Sequence, residues 1–155
     1  MKKNKKIKLL ILDVDGVMTD GSIIYDSQGN EYKIFNVLDG TGIELVKRAG
    51  IKVAIVTGRK SSIVERRANE LDIEDVYQGI NNKALVLKEL LIKYNVNLSE
   101  VCAVGDDILD IGLLKKVGFP VAVRNAASSV KKIAKYVTKT SGGKGAVREV
   151  AEMII

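Results

Sequence analysis

Two aspartates, Asp13 and Asp15, stand two residues apart directly after the apolar run from Ile7 to Leu12. Residues two apart on an extended strand point the same way, so both carboxylates can share one site. Like charges about 4 Å apart repel by about 4 kcal/mol at an effective dielectric of ~20, and this cost needs an offset. The pattern therefore favours a divalent cation bound to these carboxylates.

Two other apolar segments also end in polar residues. The first ends in Thr57, Gly58 and Arg59, and the second ends in Gly105, Asp106 and Asp107, with Asp110 one helical turn further on. In parallel α/β sheets, ligands bind beyond the carboxyl ends of the strands, so these groups should meet Asp13 and Asp15 at one edge. Acids from two strands form the oxygen-rich ligand set that Mg²⁺ prefers. Because the chain has no histidine, a Ser-His-Asp triad is excluded and acid–base chemistry is left to carboxylates.

Three common motifs lack residues that they require. An EF-hand loop starting at Asp13 needs glycine sixth and glutamate twelfth, but Gly16 is fourth and Ile24 is twelfth. A P-loop needs Ser or Thr after its Gly-Lys pair, and here Gly145 follows Lys144. The dinucleotide motif GxGxxG fails because Leu45 stands at its last position.

The elements that must position the polar residues alternate along the chain. The predicted strands are IKLLILDV, IKVAIVTG, VCAVGDD and FPVAVRN, with a short one at DVYQG. The predicted helices are TGIELVKRAG, KSSIVERRANEL (with Ser62 and Glu65 spaced as a capping box), NNKALVLKELLIKY and DDILDIGLLKKVG. This alternation predicts an α/β fold, a three-layer Rossmann-like parallel sheet with helices on both faces. Residues 21–37 alternate around a polar turn and predict a β-hairpin inserted after the first strand.

Composition limits the class of protein. The length of 155 residues, without a linker, predicts a single domain over residues 1–155. No apolar run approaches the ~18 residues of a membrane span, so no membrane partner is expected. The charge of +6, with five lysines among the first eight residues, attracts anions, but without Trp or Arg-aromatic interleaving we expect no nucleic-acid partner. Cys102 predicts a buried, inert thiol, and a lone cysteine together with the interrupted N-terminal apolar run predicts a cytoplasmic location.

Taken in order, DVDG, Thr57, Lys83 and GDDILD resemble the motifs of the haloacid dehalogenase superfamily of aspartate-nucleophile phosphatases. The resemblance covers nearly the whole chain. It implies that Asp13 attacks phosphorus to form an aspartyl-phosphate, and that Asp15 protonates the leaving oxygen and then activates water. Thr57 and Lys83 would bind the phosphoryl oxygens.

The same resemblance implies a magnesium site. Asp13 and Asp106 would bind Mg²⁺ through their side chains and Asp15 through its backbone carbonyl, while Asp107 and Asp110 either join the site or only brace it. The stretches between Asp13, Thr57 and Lys83 are too short for the cap domain of many relatives. We therefore expect an open site unless oligomerisation covers it.

Finer matches, among them FNVLDGTGI, VTGRKSSIVERR, YQGINNK and SGGKGAVREV, resemble the phosphatases of 3-deoxy-D-manno-octulosonate 8-phosphate (KDO 8-phosphate). That subfamily removes phosphate from a sugar acid in lipopolysaccharide biosynthesis. The implied substrate contacts are Asp15, Asn36, Val37, Leu38, Asp39, Gly40, Gly58, Arg59, Arg67 and Lys83. An arginine suits the substrate carboxylate because it offers a bidentate partner, although Arg67 also fits a solvated helix face.

Several alternatives stay open. Leu38 and Glu44 stand where some members carry basic residues, so a nine-carbon 2-keto-3-deoxy sugar acid phosphate remains a second candidate substrate. A receiver-type phospho-accepting domain also uses paired acids, a Thr and a Lys, but has no counterpart of the hairpin. The resemblance further implies a homotetramer in which the hairpins pack together. It implies as well that the C-terminal tail reaches an adjoining subunit's site. Gly142, Gly143 and Gly145 predict a flexible hinge just before the C-terminal helix.

Overall fold

The computed structural model describes residues 7–155, so the lysine-rich start before Ile7 lies outside the described residues. The strands are β1 (Leu9–Leu12), β2 (Ile24–Tyr25), β3 (Glu31–Tyr32), β4 (Lys52–Val56), β5 (Asp75–Tyr77), β6 (Val101–Gly105), β7 (Phe119–Ala122) and β8 (Tyr136–Val137). The helices are α1 (Val37–Arg48), α2 (Ser62–Glu70), α3 (Lys83–Tyr94), α4 (Ile108–Leu114), α5 (Ser128–Ile133) and α6 (Ala146–Ile154), with a 3₁₀ turn at Leu98–Glu100.

Six strands form one sheet in the order β5-β4-β1-β6-β7-β8, and every pairing in it is parallel. The central strand β1 is buried along its whole length, and its last residue, Leu12, pairs with Ile55 of β4 and Val104 of β6. These three strands therefore end side by side. The register brings the residues that follow them to one edge of the sheet, as the sequence predicts.

Helices cover both faces of the sheet, which confirms the predicted three-layer fold. Right-handed crossovers to strands on opposite sides of β1 place α1 and α2 on one face and α3, α4 and α5 on the other. Helix α6 packs against α1, while α4 packs between α3 and α5. None of the helices within residues 7–155 has the length and apolar character needed to cross a membrane.

Element boundaries differ from the sequence prediction in places. Helix α1 begins already at Val37, because the Asn36 side chain accepts a hydrogen bond from the Leu38 N–H. The capping box predicted at Ser62 is wrong: Ser61 is the N-cap of α2, and its hydroxyl accepts from the Ile63 N–H. The two-residue β8 and the six-residue α5 were not predicted, because neither is long enough to show a regular pattern of apolar and polar residues.

The predicted hairpin is confirmed as a separate two-stranded sheet, in which β2 pairs antiparallel with β3. Asp26 closes its turn by accepting hydrogen bonds from the N–H groups of Gln28 and Asn30. Along and after β3 the charged Glu31 and Lys33 are partly shielded, while Tyr32 and Ile34 are 52% and 64% exposed. Residues 31–34 therefore turn their charged side chains inward and their apolar ones outward.

Candidate active site

A cleft of about 360 Å³ opens at the carboxyl ends of β1, β4 and β6. It is lined by Asp13, Asp15, Gly21, Thr57, Gly58, Arg59, Asn81, Lys83, Asp106, Asp107, Leu109 and Asp110. The fold thus brings together all four residues predicted to be catalytic and the three predicted to bind metal. A smaller cavity of about 190 Å³ involves the amino-terminal ends of β4 and β5 and contains none of the predicted site residues.

Lys83 lies at the centre of the cleft's charges. Its side chain is 2% exposed, and Nζ lies 3.0 Å from Asp13 Oδ1 and 2.6 Å from Asp110 Oδ1. Helix α3 presents it at its first position, immediately after the N-cap Asn82. A buried lysine with two carboxylate partners is a fixed positive charge beside Asp13.

Both carboxylate oxygens of Asp110 are occupied by protein donors. Oδ1 accepts from Lys83, and Oδ2 accepts from the N–H groups of Asp106 and Asp107 at 2.9 and 3.3 Å. Asp110 also completes a capping box with the N-cap Asp107. This geometry favours the bracing role for Asp110, which the sequence left open.

Burial and neighbouring carboxylates raise the pKa of Asp13 and Asp106. Burial, and next the charge of Asp110, raise the pKa of Asp13 to about 6 against the opposing effect of Lys83. Burial and the nearby Asp13 raise the pKa of Asp106 to about 8. Burial alone would lower the pKa of Lys83, but Asp13 and Asp110 outweigh it and raise that pKa.

This crowding of carboxylates suits a hard cation. One oxygen each from Asp13, Asp106 and Asp110 lies within 4.8 Å of the others. Gly16 leaves the room that Asp106 occupies, because a Cβ at residue 16 would overlap the Asp106 carboxylate. An all-oxygen set of carboxylates that repel one another is the kind of site that Mg²⁺ binds.

The hairpin supplies residues that the sequence analysis missed. Lys33 Nζ lies 2.6 Å from Asp15 Oδ1 and 3.2 Å from Glu31 Oε1. Glu31 Oε1 is also 3.3 Å from Arg59 Nη1, and Arg59 Nη2 donates to the Tyr25 hydroxyl at 3.2 Å. The sequence does show charged residues alternating along the second half of the hairpin. It does not show whether their side chains face the cleft or the solvent.

The remaining predicted substrate contacts form a second group outside the lining of the cleft. Asn36, Val37, Leu38, Asp39 and Gly40 make up the N-cap and first turn of α1. Arg67 lies beside them, since a Cβ on Gly40 would meet its Nη2 at 2.6 Å, and its guanidinium stacks 5.6 Å from the centre of the Phe35 ring. Their role in substrate binding stays a prediction.

Asp39 in this group has a clear structural partner. Its side chain is buried, and Oδ1 accepts a hydrogen bond from the Arg148 N–H at 3.0 Å, near the start of α6. Burial raises the pKa of Asp39, opposed by the backbone N–H groups of Arg148, Gly145 and Val147 and by the charge of Arg67. Asp39 thus joins α1 to α6.

The glycine-rich segment before α6 is packed, so the predicted flexible hinge is wrong. Gly142 N–H donates to Asn125 Oδ1 at 2.7 Å, and Gly143 N–H donates to the Val17 carbonyl at 3.1 Å. Asn125 Nδ2 donates in turn to the Gly16 carbonyl at 3.0 Å. A Cβ on Gly142 would overlap the Gly16 carbonyl, so glycine is required here for close backbone approach.

Comparisons with known proteins identify the family of the chain. A family profile described as haloacid dehalogenase-like hydrolase matches residues 75–150. The chain is 46% identical over 153 residues to the 3-deoxy-D-manno-octulosonate 8-phosphate phosphatase KdsC of Escherichia coli K12, covering 99% of this chain and 81% of that protein. The KdsC of Yersinia pestis is 46% identical over 149 residues, covering 96% of this chain and 80% of that one.

Solved structures give the same result. The 3-deoxy-D-manno-octulosonate 8-phosphate phosphatase of Moraxella catarrhalis, in complex with magnesium, phosphate and KDO, superposes with a TM-score of 0.95 at 44% identity, over 99% of this chain and 88% of that one. The cobalt-bound phosphatase of Haemophilus influenzae gives a TM-score of 0.94 at 38% identity, over 99% and 90%. The chain therefore belongs to the haloacid dehalogenase-like hydrolases, in the subfamily of the KDO 8-phosphate phosphatases.

Proposed function

We propose that this protein is a Mg²⁺-dependent phosphatase that hydrolyses KDO 8-phosphate to KDO and phosphate in lipopolysaccharide biosynthesis. The observation that carries the proposal is the convergence of Asp13, Asp15, Thr57, Lys83 and Asp106 on one cleft. The relatives named above act on this sugar phosphate and match over nearly the whole chain.

The proposed reaction has two steps that use the same two aspartates. In the first, an oxygen of Asp13 attacks phosphorus while Asp15 gives a proton to the departing sugar oxygen. In the second, Asp15 takes a proton from the water that attacks the aspartyl-phosphate and releases Asp13. We infer that Lys83, whose Nζ lies 3.0 Å from Asp13 Oδ1, neutralises the phosphoryl oxygens in both steps, and that Thr57, which follows strand β4, binds them.

The residues present fit a magnesium ion. Asp13 and Asp106 would hold it through their carboxylates, together with the backbone carbonyl of Asp15. When bound, the ion neutralises charge on the phosphoryl group as it is transferred. Asp110 would take no direct part, because its oxygens already accept from Lys83 and two backbone N–H groups.

Arg59 is the residue of the cleft best suited to the substrate carboxylate. It lies at the cleft wall, and Glu31 and Tyr25 hold its guanidinium. The eight-carbon acid and the alternative substrate, the nine-carbon 2-keto-3-deoxy acid phosphate, both offer a carboxylate to this guanidinium. Arg67 and residues 36–40 lie outside the lining of this cleft, and we propose that they contact the substrate across an interface between subunits.

Exposed apolar residues on the hairpin support the proposed homotetramer. The side of the hairpin that faces away from the cleft exposes Tyr32 and Ile34, each more than half exposed, and the exposed Val37 and Leu38 follow directly. An apolar patch of this kind is typical of a protein interface. Light scattering should report four copies for the wild type and a smaller mass for Ile34→Glu. Ile92→Glu, at an exposed isoleucine on α3, is the matched control and should leave the mass unchanged.

Two further proposals concern the chain as a whole. The described elements share one hydrophobic core, which supports a single domain. Cys102 is fully buried and burial raises its thiol pKa, which agrees with an inert cysteine in a reducing cytoplasm. Cell fractionation in the source organism would test the location.

Phosphate release across a panel of phosphorylated sugar acids tests the function. We expect KDO 8-phosphate to have the highest kcat/KM, and addition of EDTA to abolish turnover until Mg²⁺ is restored. Asp13→Asn should remain folded and inactive, because it loses the nucleophile. Wild-type turnover in Asp13→Asn would refute the covalent mechanism, and a preference for the nine-carbon acid would replace the substrate.

A further inference from the structure

Lys33 is a buried cation that belongs to the hairpin and not to the sheet. Its side chain is 2% exposed, although the hairpin has only two residues in each strand. Nζ reaches back 18 residues along the chain to Asp15, at 2.6 Å. None of the superfamily motifs in the sequence includes this lysine.

The burial of Lys33 needs a physical reason. A charged group loses its hydration when buried, and this is tolerated only when an opposite charge compensates it. An apolar residue at this inward position would anchor the hairpin at lower cost, as Phe35 does two residues later by packing on the core. Anchoring alone therefore does not explain a lysine here, whereas contact with a carboxylate of the cleft does.

Asp15 depends on this contact for its orientation. Within residues 7–155, Lys33 is the hydrogen-bonding partner of the Asp15 side chain, and it engages Oδ1. The second oxygen is left for another group. Asp15 is 21% exposed, so without the ion pair its side chain would be free to rotate towards solvent.

We propose that Lys33 is a positioning residue that holds the Asp15 carboxyl group in the orientation from which it serves the leaving oxygen. This inference rests on the proposed function, in which Asp15 is the proton donor. Glu31 supports the arrangement, because its Oε1 lies within 3.3 Å of both Lys33 and Arg59. The hairpin thereby organises one wall of the cleft from within the same chain.

The dependence on the leaving group separates positioning from anchoring. A sugar alkoxide is a poor leaving group and needs a proton, whereas para-nitrophenolate leaves readily without one. The specificity constant kcat/KM reports steps up to the departure of the leaving group, so hydrolysis of the phospho-enzyme does not enter it. A mispositioned acid should therefore reduce kcat/KM for the sugar phosphate much more than for para-nitrophenyl phosphate.

The test compares Lys33→Met with the wild type on these two substrates. General acid catalysis typically accelerates a reaction by ~10²–10⁴-fold. Because Lys33→Met should cost only part of this acceleration, we expect kcat/KM for the sugar phosphate to fall by about 10- to 100-fold. The loss for para-nitrophenyl phosphate should stay within about threefold, since its leaving group needs little acid assistance. Lys33→Arg, which keeps a cation of similar reach, should recover part of the lost activity. Lys33→Met should also add little to the effect of Asp15→Asn, because it acts through that residue.

Asp26→Ala is the control for hairpin stability. Asp26 holds the hairpin turn and the Tyr32 hydroxyl without contacting the cleft, so its loss should leave the ratio of the two kcat/KM values unchanged. Lys33→Gln serves as a second variant if Lys33→Met does not fold, with the same selective loss expected.

The possible results are distinct. Equal losses on both substrates, or no loss on either, would overturn the positioning role while the proposed function stands. A wild-type protein that hydrolyses neither ester would overturn the proposed function and this inference with it.

Discussion

Asp110→Asn would decide whether Asp110 braces the site or binds the metal. The substitution keeps the shape of the side chain and removes its charge. If the remaining oxygen keeps the N–H groups of Asp106 and Asp107, the new amide NH₂ faces the Lys83 ammonium, so a donor meets a donor.

The cost follows from what Lys83 then loses. Removing one partner of a buried ion pair costs ~3–5 kcal/mol, because the other charge is left uncompensated. Lys83 keeps Asp13 at 3.0 Å, so we discount this figure to about 2–4 kcal/mol. We expect that loss in the free energy of unfolding, together with a lower kcat, because Lys83 would be drawn towards Asp13.

Urea unfolding with EDTA present measures the loss without any contribution from bound metal. Asp107→Asn is the matched control: its side chain caps α4 by accepting from the Ile108 N–H, and asparagine caps a helix equally well. An Asp110→Asn variant with wild-type stability in EDTA and greatly weakened Mg²⁺ binding would refute the bracing role and make Asp110 a metal ligand.

Three other changes have defined outcomes. Arg59→Ala should reduce kcat/KM for the sugar acid phosphate by about 10- to 100-fold, because it removes one charged hydrogen bond. The loss for para-nitrophenyl phosphate should be much smaller, since this ester has no distal carboxylate. Equal losses on both substrates would place Arg59 at the phosphoryl group. Truncation after Thr140 should prevent folding, because it deletes α6 with its buried Val147 and Val150. Thermal unfolding should then show no cooperative transition, and a truncated chain that still folds would contradict the prediction. Burial raises the pKa of Glu149, but hydrogen bonds from Tyr136, Lys139 and Thr140 outweigh it, so its folded pKa lies below the ordinary 4.5. The ionised Glu149 therefore stabilises the fold above pH 4.5, and this contribution is lost as the pH falls through the pKa of Glu149 in the folded protein. On acidification, the free energy of unfolding of Glu149→Gln should fall less steeply than that of the wild type.

The sequence by itself determined the sheet and the centre of the site. Apolar segments that alternate with amphipathic helices predict a parallel sheet, and the carboxyl ends of parallel strands lie at one edge of the sheet. Asp13, Thr57 and Asp106 each follow such a strand, so their convergence was predictable from position alone. Gly142 and Gly143, by contrast, were predicted to form a hinge, whereas the structure packs them against the backbone of residues 16–20. A cluster of glycines in a sequence is compatible with either arrangement.

Only the tertiary structure decided which way several side chains face. A period of two indicates that Glu31 and Lys33 share one side of a strand, but not whether that side meets the cleft or solvent. The same limit applies to Asp110 and Asp39, whose partners lie on α3 and α6, far away in sequence. Periodicity is a local property of the chain, whereas an ion pair such as Lys33–Asp15 exists only once packing has brought two distant segments together.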